Sequence, residues 1–188
     1  MKRTILKYIA KQFAKFYWGF LKPEIDSYVL NTQKSSFKKM GNNCIFKGGG
    51  TIFHPENIVI EDNVQIGENY FLMGIGGIEI LEGTIISRNV CIHSGNHDFK
   101  SSDMIPYNSN YLKEKIVIGK GVWIGQNVNI LPGISIGDGA IIGMGTTVSK
   151  NVEPYQIIVG TGQRSIGYRD KNNFEKGLKK SNFYGKYY

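Results

Sequence analysis

From position 118 onward an aliphatic residue returns at every sixth place: Ile118, Ile124, Ile130, Ile136, Ile142 and Val148. Four residues after each comes a second small or apolar residue: Val122, Val128, Ile134, Ala140, Thr146 and Val152. Gly119, Gly125, Gly137 and Gly143 directly follow four of the aliphatics, and Ile60/Ile66 and Ile80/Ile86/Ile92 share the spacing. A period of six matches neither the 3.6 of a helix nor the two of a single strand. It predicts a coil of three short strands per turn, eighteen residues a turn, with Ile118 stacked under Ile136 and Ile124 under Ile142. A glycine or another tolerant residue just after the aliphatic is expected to form each corner. No single repeat can bury its apolar face alone, so such coils gain stability by stacking.

The rhythm breaks twice. Two extra residues enter between Ile66 and Ile80, around "GIGG" (74–77), and twenty extra between Ile92 and Ile118. The second break predicts a loop over about 93–115, with "GNHDF" (95–99) at its stem. Long loops on a rigid scaffold are where binding and catalysis concentrate. Two of the chain's three histidines, His93 and His97, sit there.

Composition narrows the picture. With 188 residues, 41% hydrophobic and 20% charged, the chain is long enough for one folded domain. Twenty-four glycines against five prolines indicate tight turns rather than a linker. The net charge of +8 is carried by the ends, and the middle is mildly acidic, which argues against a nucleic-acid groove. Cys44 and Cys91 have no metal or redox spacing and read as reduced thiols of a cytoplasmic protein. Lys7, Lys11 and Lys15 interrupt the apolar N-terminus, so no signal peptide or membrane span is expected there.

The stretch "VWIGQNVNILPGISIGDGAIIGMGTTVSKNVEPYQIIVG" (122–160), with "GNHDF" before a projecting loop, resembles the hexapeptide-repeat acyltransferases. More narrowly it is similar to the bacterial sugar and polysaccharide O-acetyltransferases, over about residues 43–166. The resemblance implies an all-β left-handed parallel β-helix, an exception to the right-handed crossover rule. It also implies a homotrimer, acetyl-CoA as donor, no metal, and active sites between neighbouring subunits. His97 falls on the family's catalytic histidine, and Trp123 on a tryptophan lining the thioester end of the CoA site. Gly125, Gly143, Met144, Ser149 and Lys150 lie where the family's coils run beside pantetheine and nucleotide, and Arg164 near a residue that meets the CoA phosphates. Met73 and Gly74 stand where several small-sugar acetyltransferases have an asparagine, so acceptor recognition is expected to differ.

Acetyl transfer from a thioester to a hydroxyl needs a base, oxyanion stabilisation and positioning of both substrates. A histidine, ionising near pH 6.5, suits the base, and no covalent nucleophile is required. His93 is expected as a structural or substrate-facing neighbour; Asp98 or a backbone carbonyl would fix the His97 tautomer. His54, in "FHPEN", reads as a turn residue. Other readings are an amino-sugar N-acetyltransferase, an antibiotic acetyltransferase, a three-histidine zinc enzyme of carbonic-anhydrase type and a non-catalytic scaffold. The glycan would be part of capsule, exopolysaccharide or lipopolysaccharide.

The two ends fall outside the repeat. Over 1–30 a basic amphipathic helix is expected, with Ile5, Ile9, Phe13, Phe16 and Phe20 on one face and Lys7, Lys11 and Lys15 on another. It would pack on the coil or a neighbouring subunit, or touch an anionic membrane surface at the inner face. The catalytic coil is expected over 43–163, and 164–188 as a basic packing arm or partly disordered tail.

Overall fold

A computed structural model describes residues 2–98, 109–160, 164–168 and 171–180. The chain divides into two units, Met1–Ser35 and Ser36–Tyr188. The first is helical: Lys2–Phe16 and Lys22–Lys34 are α-helices joined through a π turn, Tyr17–Leu21.

The second unit is a parallel β-solenoid whose short strands stack into three faces. Face one holds Lys39–Met40, Ile58–Ile60, Ile78–Ile80, Ile116–Ile118 and Ser135–Ile136. Face two holds Ile45–Phe46, Gln65–Ile66, Ile85–Ile86, Trp123–Ile124, Ile141–Ile142 and Gln156–Val159. Face three holds Thr51–Phe53, Phe71–Met73, Cys91–His93, Asn129–Ile130 and Thr147–Val148. Ile118 pairs with Ile136, and Ile124 with Ile142, as the period of six predicts. Every aliphatic of that series, and every residue four places on, is buried. Each fully buried Ile contributes roughly 1.5–3 kcal/mol of apolar burial, repeated at every level of the stack.

Two details differ from expectation. The turns before the loop take twenty residues, since Ile58 pairs with Ile78; eighteen appears only later, where Val117 pairs with Ser135. And the corner conformation is not formed by the glycine right after the aliphatic. Positive φ falls three places after it, at Asn63, Asn89, Asn127, Gly121, Gly139 and Gly145. Asparagine tolerates this region, and its side chain adds a ladder: Asn69 Nδ2 donates to Asn89 Oδ1 at 2.9 Å, and Asn89 Nδ2 to Asn127 Oδ1 at 3.0 Å. Gly125 and Gly143 are glycine for another reason. A Cβ on Gly125 would lie 2.7 Å from the Met144 nitrogen, and one on Gly143 2.6 Å from Val159. The next turn of the coil occupies that space.

Past the coil, Arg164–Tyr168 returns antiparallel along Gln156–Val159, extending face two. The helix Lys171–Lys179 sets Phe174 against Tyr155, ring centroids 5.3 Å apart, and over Gly121 and Gly139. The segment read as an arm or tail is thus a strand and a helix within its described residues. The loop tip 99–108, residues 161–163 and the last eight residues lie outside the described residues.

Candidate active site

All the irregular residues of the coil leave at one corner, between faces three and one. In successive turns that corner is His54–Asn57, then Gly74–Gly77, then the loop 94–115. His54 adopts positive φ and opens the 3₁₀ turn Pro55–Asn57, with its Nδ1 3.1 Å from Glu56 Oε1. It is a turn residue, as read from sequence.

The loop begins as a hairpin. Gly95–His97 pairs antiparallel with Tyr111–Lys113, His97 opposite Tyr111. The stem is clamped: Ser94 Oγ donates to the Met73 carbonyl at 2.6 Å and accepts the Gly76 N–H at 2.9 Å, while Glu114 N–H donates to Ser94 O at 2.9 Å. A Cβ on Gly76 would collide with the Ser94 carbonyl oxygen and the Glu114 nitrogen. The "GIGG" insertion is therefore the seat of the larger loop that follows it. On the far side the Gly133 N–H donates to Glu114 O at 3.4 Å, so the loop is held from the turns above and below.

His97 projects from this hairpin half-buried, its Nδ1 shielded from solvent. Its ring lies against Tyr111, centroids 4.5 Å apart at 37°, and its backbone N–H donates to Asn96 Oδ1 at 2.9 Å. Asp98 follows at the hairpin edge, its N–H donating to Asn110 O at 3.1 Å. His93 is on the outer side of face three, stacked on Phe71 at 4.9 Å and 14°, with Phe53 beyond at 5.6 Å from Phe71. Desolvation holds the His93 imidazole below its ordinary pKa, favouring the neutral ring. Cys91, on the same side of the same strand, has its thiol pushed up by burial. A thiol in that state is a poor nucleophile at neutral pH.

The remaining candidates lie elsewhere. Trp123 is on face two, 53% exposed, between half-buried Ile85 and Ile141 in register, with Ile157 next in the row. Gly125, Gly143 and exposed Met144 are at the corner between faces two and three. Ser149 and Lys150, both exposed, share the His97 corner further along the coil. Arg164 is exposed and sits opposite Val159 at the end of face two. In a three-sided coil the corner that carries His97 is opposite face two. One chain therefore brings His97, Asp98, His93, Ser149 and Lys150 to one edge and leaves Trp123 and Arg164 on the face across from it.

Sequence reading missed Phe53, Phe71 and Tyr111, whose rings complete the His93 and His97 environment. Their signal is visible only in register, because contacts fourteen to twenty-two residues apart carry no local pattern. Among the described residues, no three His, Cys, Asp or Glu side chains converge as a metal site.

A family profile described as "Bacterial transferase hexapeptide (six repeats)" matches residues 115–150. WbbJ of Escherichia coli K12, named for O-acetyl transfer in lipopolysaccharide biosynthesis, is 33% identical over 126 residues, 63% of this chain and 61% of its own. The chain thus spans about three fifths of that relative's length. Galactoside O-acetyltransferase of Escherichia coli K12 is 29% identical over 153 residues, 78% of this chain and 72% of its own. The hexapeptide-repeat acetyltransferase VCA0836 of Vibrio cholerae, solved with acetyl-CoA, superposes with a TM-score of 0.69 at 25% identity, covering 81% of this chain and 85% of its own. The stacked period of six and the three parallel faces are thus those of a hexapeptide-repeat coil, whose family profile residues 115–150 match, and over most of its length the chain is similar to bacterial hexapeptide-repeat acetyltransferases.

Proposed function

We propose that the protein transfers acetyl from acetyl-CoA to a hydroxyl of a sugar in a surface glycan, at a site completed by a second copy of the chain within a homotrimer. The observation that carries this is the division of the candidates. His97 is anchored on one edge of the coil, while exposed Trp123, its apolar neighbours Ile85 and Ile141, and Arg164 occupy the opposite face. Closed cyclic packing sets the edge of one copy against the face of the next. The residues suit acetyl-CoA: a flat apolar strip for pantetheine, Met144 beside it, and the cations Lys150 and Arg164 for phosphates. WbbJ and galactoside O-acetyltransferase are named for acetyl transfer to oxygen, and VCA0836 holds acetyl-CoA.

In this reading the neutral His97 imidazole accepts the proton of the acceptor hydroxyl as its oxygen attacks the thioester carbonyl. When the C–S bond breaks, the imidazolium returns the proton to the leaving sulfur. Tyr111 and the clamped hairpin hold the ring in place. The Phe53–Phe71–His93 row offers a flat aromatic surface for the apolar face of a sugar ring. The high thiol pKa of Cys91 supports direct transfer rather than a covalent intermediate.

The test is a panel of glycan hydroxyl and amino-sugar acceptors with acetyl-CoA, read by thiol release, with calorimetry of CoA binding. Acetylation of a sugar hydroxyl is expected, lost in His97→Ala while CoA still binds. Transfer only to amino groups, or a chain that does not bind CoA, would refute the reading. A stable, fully active monomer in sedimentation would refute the shared site.

A further inference from the structure

The helical unit makes no use of the chemistry above. Lys2–Phe16 runs into the π turn Tyr17–Leu21, where the Lys22 N–H donates to the Tyr17 carbonyl, and Lys22–Lys34 continues the helix. Pro23 supplies the cause: it has no N–H, and its ring excludes the carbonyl four residues back, on Gly19. A widened turn upstream relieves both. The consequence is a change of phase. A π turn adds one residue to a turn and so retards every later side chain by about 100°.

Ile5, Ile9, Phe13, Phe16 and Phe20 form one stripe at spacings of three and four. In an unbroken α-helix Ile25 and Tyr28 would fall well off that stripe. The inserted residue returns them to it, so the apolar stripe runs from Ile5 to Tyr28, about 35 Å at 1.5 Å per residue. It is exposed, with Phe13 at 66%, Phe20 at 63% and Tyr28 at 71%. Lys7, Lys11 and Lys15 project on the opposite side, and positions 2–22 hold six cations and no acid.

An apolar stripe this long marks a contact surface. Its charge decides the partner. A second copy packed stripe to stripe would leave the six cations of 2–22 turned outward, with no carboxylate in that stretch to neutralise them. An anionic bilayer surface fits both sides of the helix. Ile and Phe side chains enter the acyl boundary, Tyr8 lies between the stripe and the lysines at headgroup depth, and the lysines reach lipid phosphates. Among the described residues no helix is long and apolar enough to cross a membrane, so the helix would lie in the interface plane. We propose that residues 2–34 dock this protein on an anionic lipid surface.

Flotation of the full chain with phosphatidylcholine vesicles, with and without phosphatidylglycerol, tests this. Binding is expected only with the anionic lipid, weakening as salt is raised. Each basic residue near such a surface contributes about fivefold in affinity, so Lys7→Glu/Lys11→Glu/Lys15→Glu should weaken binding roughly a hundredfold or more. Phe13→Ser/Phe16→Ser/Phe20→Ser should abolish it with all lysines present. The proposal is overturned if the full chain does not float with anionic vesicles, or binds neutral ones equally. It is also overturned if the phenylalanine variant dissociates the oligomer while vesicle binding persists, since the stripe would then be an interface between copies.

Discussion

The turns before and after the loop are built to different lengths, yet their interiors are continuous. Before it, Ile58 pairs with Ile78 twenty residues on; after it, Val117 pairs with Ser135 at eighteen and Ile136 with Val152 at sixteen. The whole difference is taken up at the corner between faces three and one, by His54–Asn57, Gly74–Gly77, the loop and the short 149–151 corner. The other two corners keep a constant length, with Asn or Gly, and at the last of them Tyr155, at positive φ. Stacking depends only on the inward residues keeping register, so one corner is free to vary without disturbing the core. The variable corner is where His97 and Lys150 gather. The regular faces supply the rigid wall that carries Trp123.

That contrast breaks apart under substitution. Largest is His97→Ala, expected to lower kcat by roughly two to four decades with melting unchanged; near-normal turnover would move the chemistry off the variable corner. On the regular side, Ile124→Ala removes a side chain packed between Ile86 and Ile142. It should cost about 2–5 kcal/mol in chemical denaturation. A third change crosses from one region to the other: Gly76→Ala unseats the hairpin without entering the core. We expect about a hundredfold loss of kcat, as for a misplacement near 1 Å, with little change in melting and in CoA affinity measured by calorimetry. Gly125→Ala should do the reverse, costing roughly 1–3 kcal/mol by overpacking against the next turn; a variant as stable as the parent would mean the turns can part there.

The smallest effect is at His93. Its folded pKa lies below the ordinary 6.5 because burial disfavours the charged ring. As pH falls, the unfolded chain takes up this proton first. The stabilisation is therefore fully present above the ordinary value and is lost as pH drops below it towards the folded value. Melting followed across that window should show the loss, and His93→Phe, which keeps a ring on Phe71, should remove that part of it.

Much of the coil was legible in the residues. The inward series, the pairing of Ile118 with Ile136, the outward Trp123 and the loop stem all follow from a period repeated often enough to exclude other folds. Other features were not legible for local reasons. The positive-φ corners sit three places beyond the inward aliphatic because the bend follows the strand's last pleat, and asparagine serves there as well as glycine. The Phe53–Phe71–His93 row and the Gly76 seat join residues about twenty apart, a distance set by the turn length and not by any nearby residue.

By itself, then, the order of residues determined which side chains are buried, since burial follows periodicity, and which histidine stands at the loop, since an insertion interrupts that period. Tertiary structure alone decided on which face each candidate lies. A residue's face depends on the summed length of all the turns before it, so two extra residues at a corner shift every later position in the count without shifting it in space. That is why His97 and Trp123, 26 positions apart in the chain, end on opposite sides of one coil.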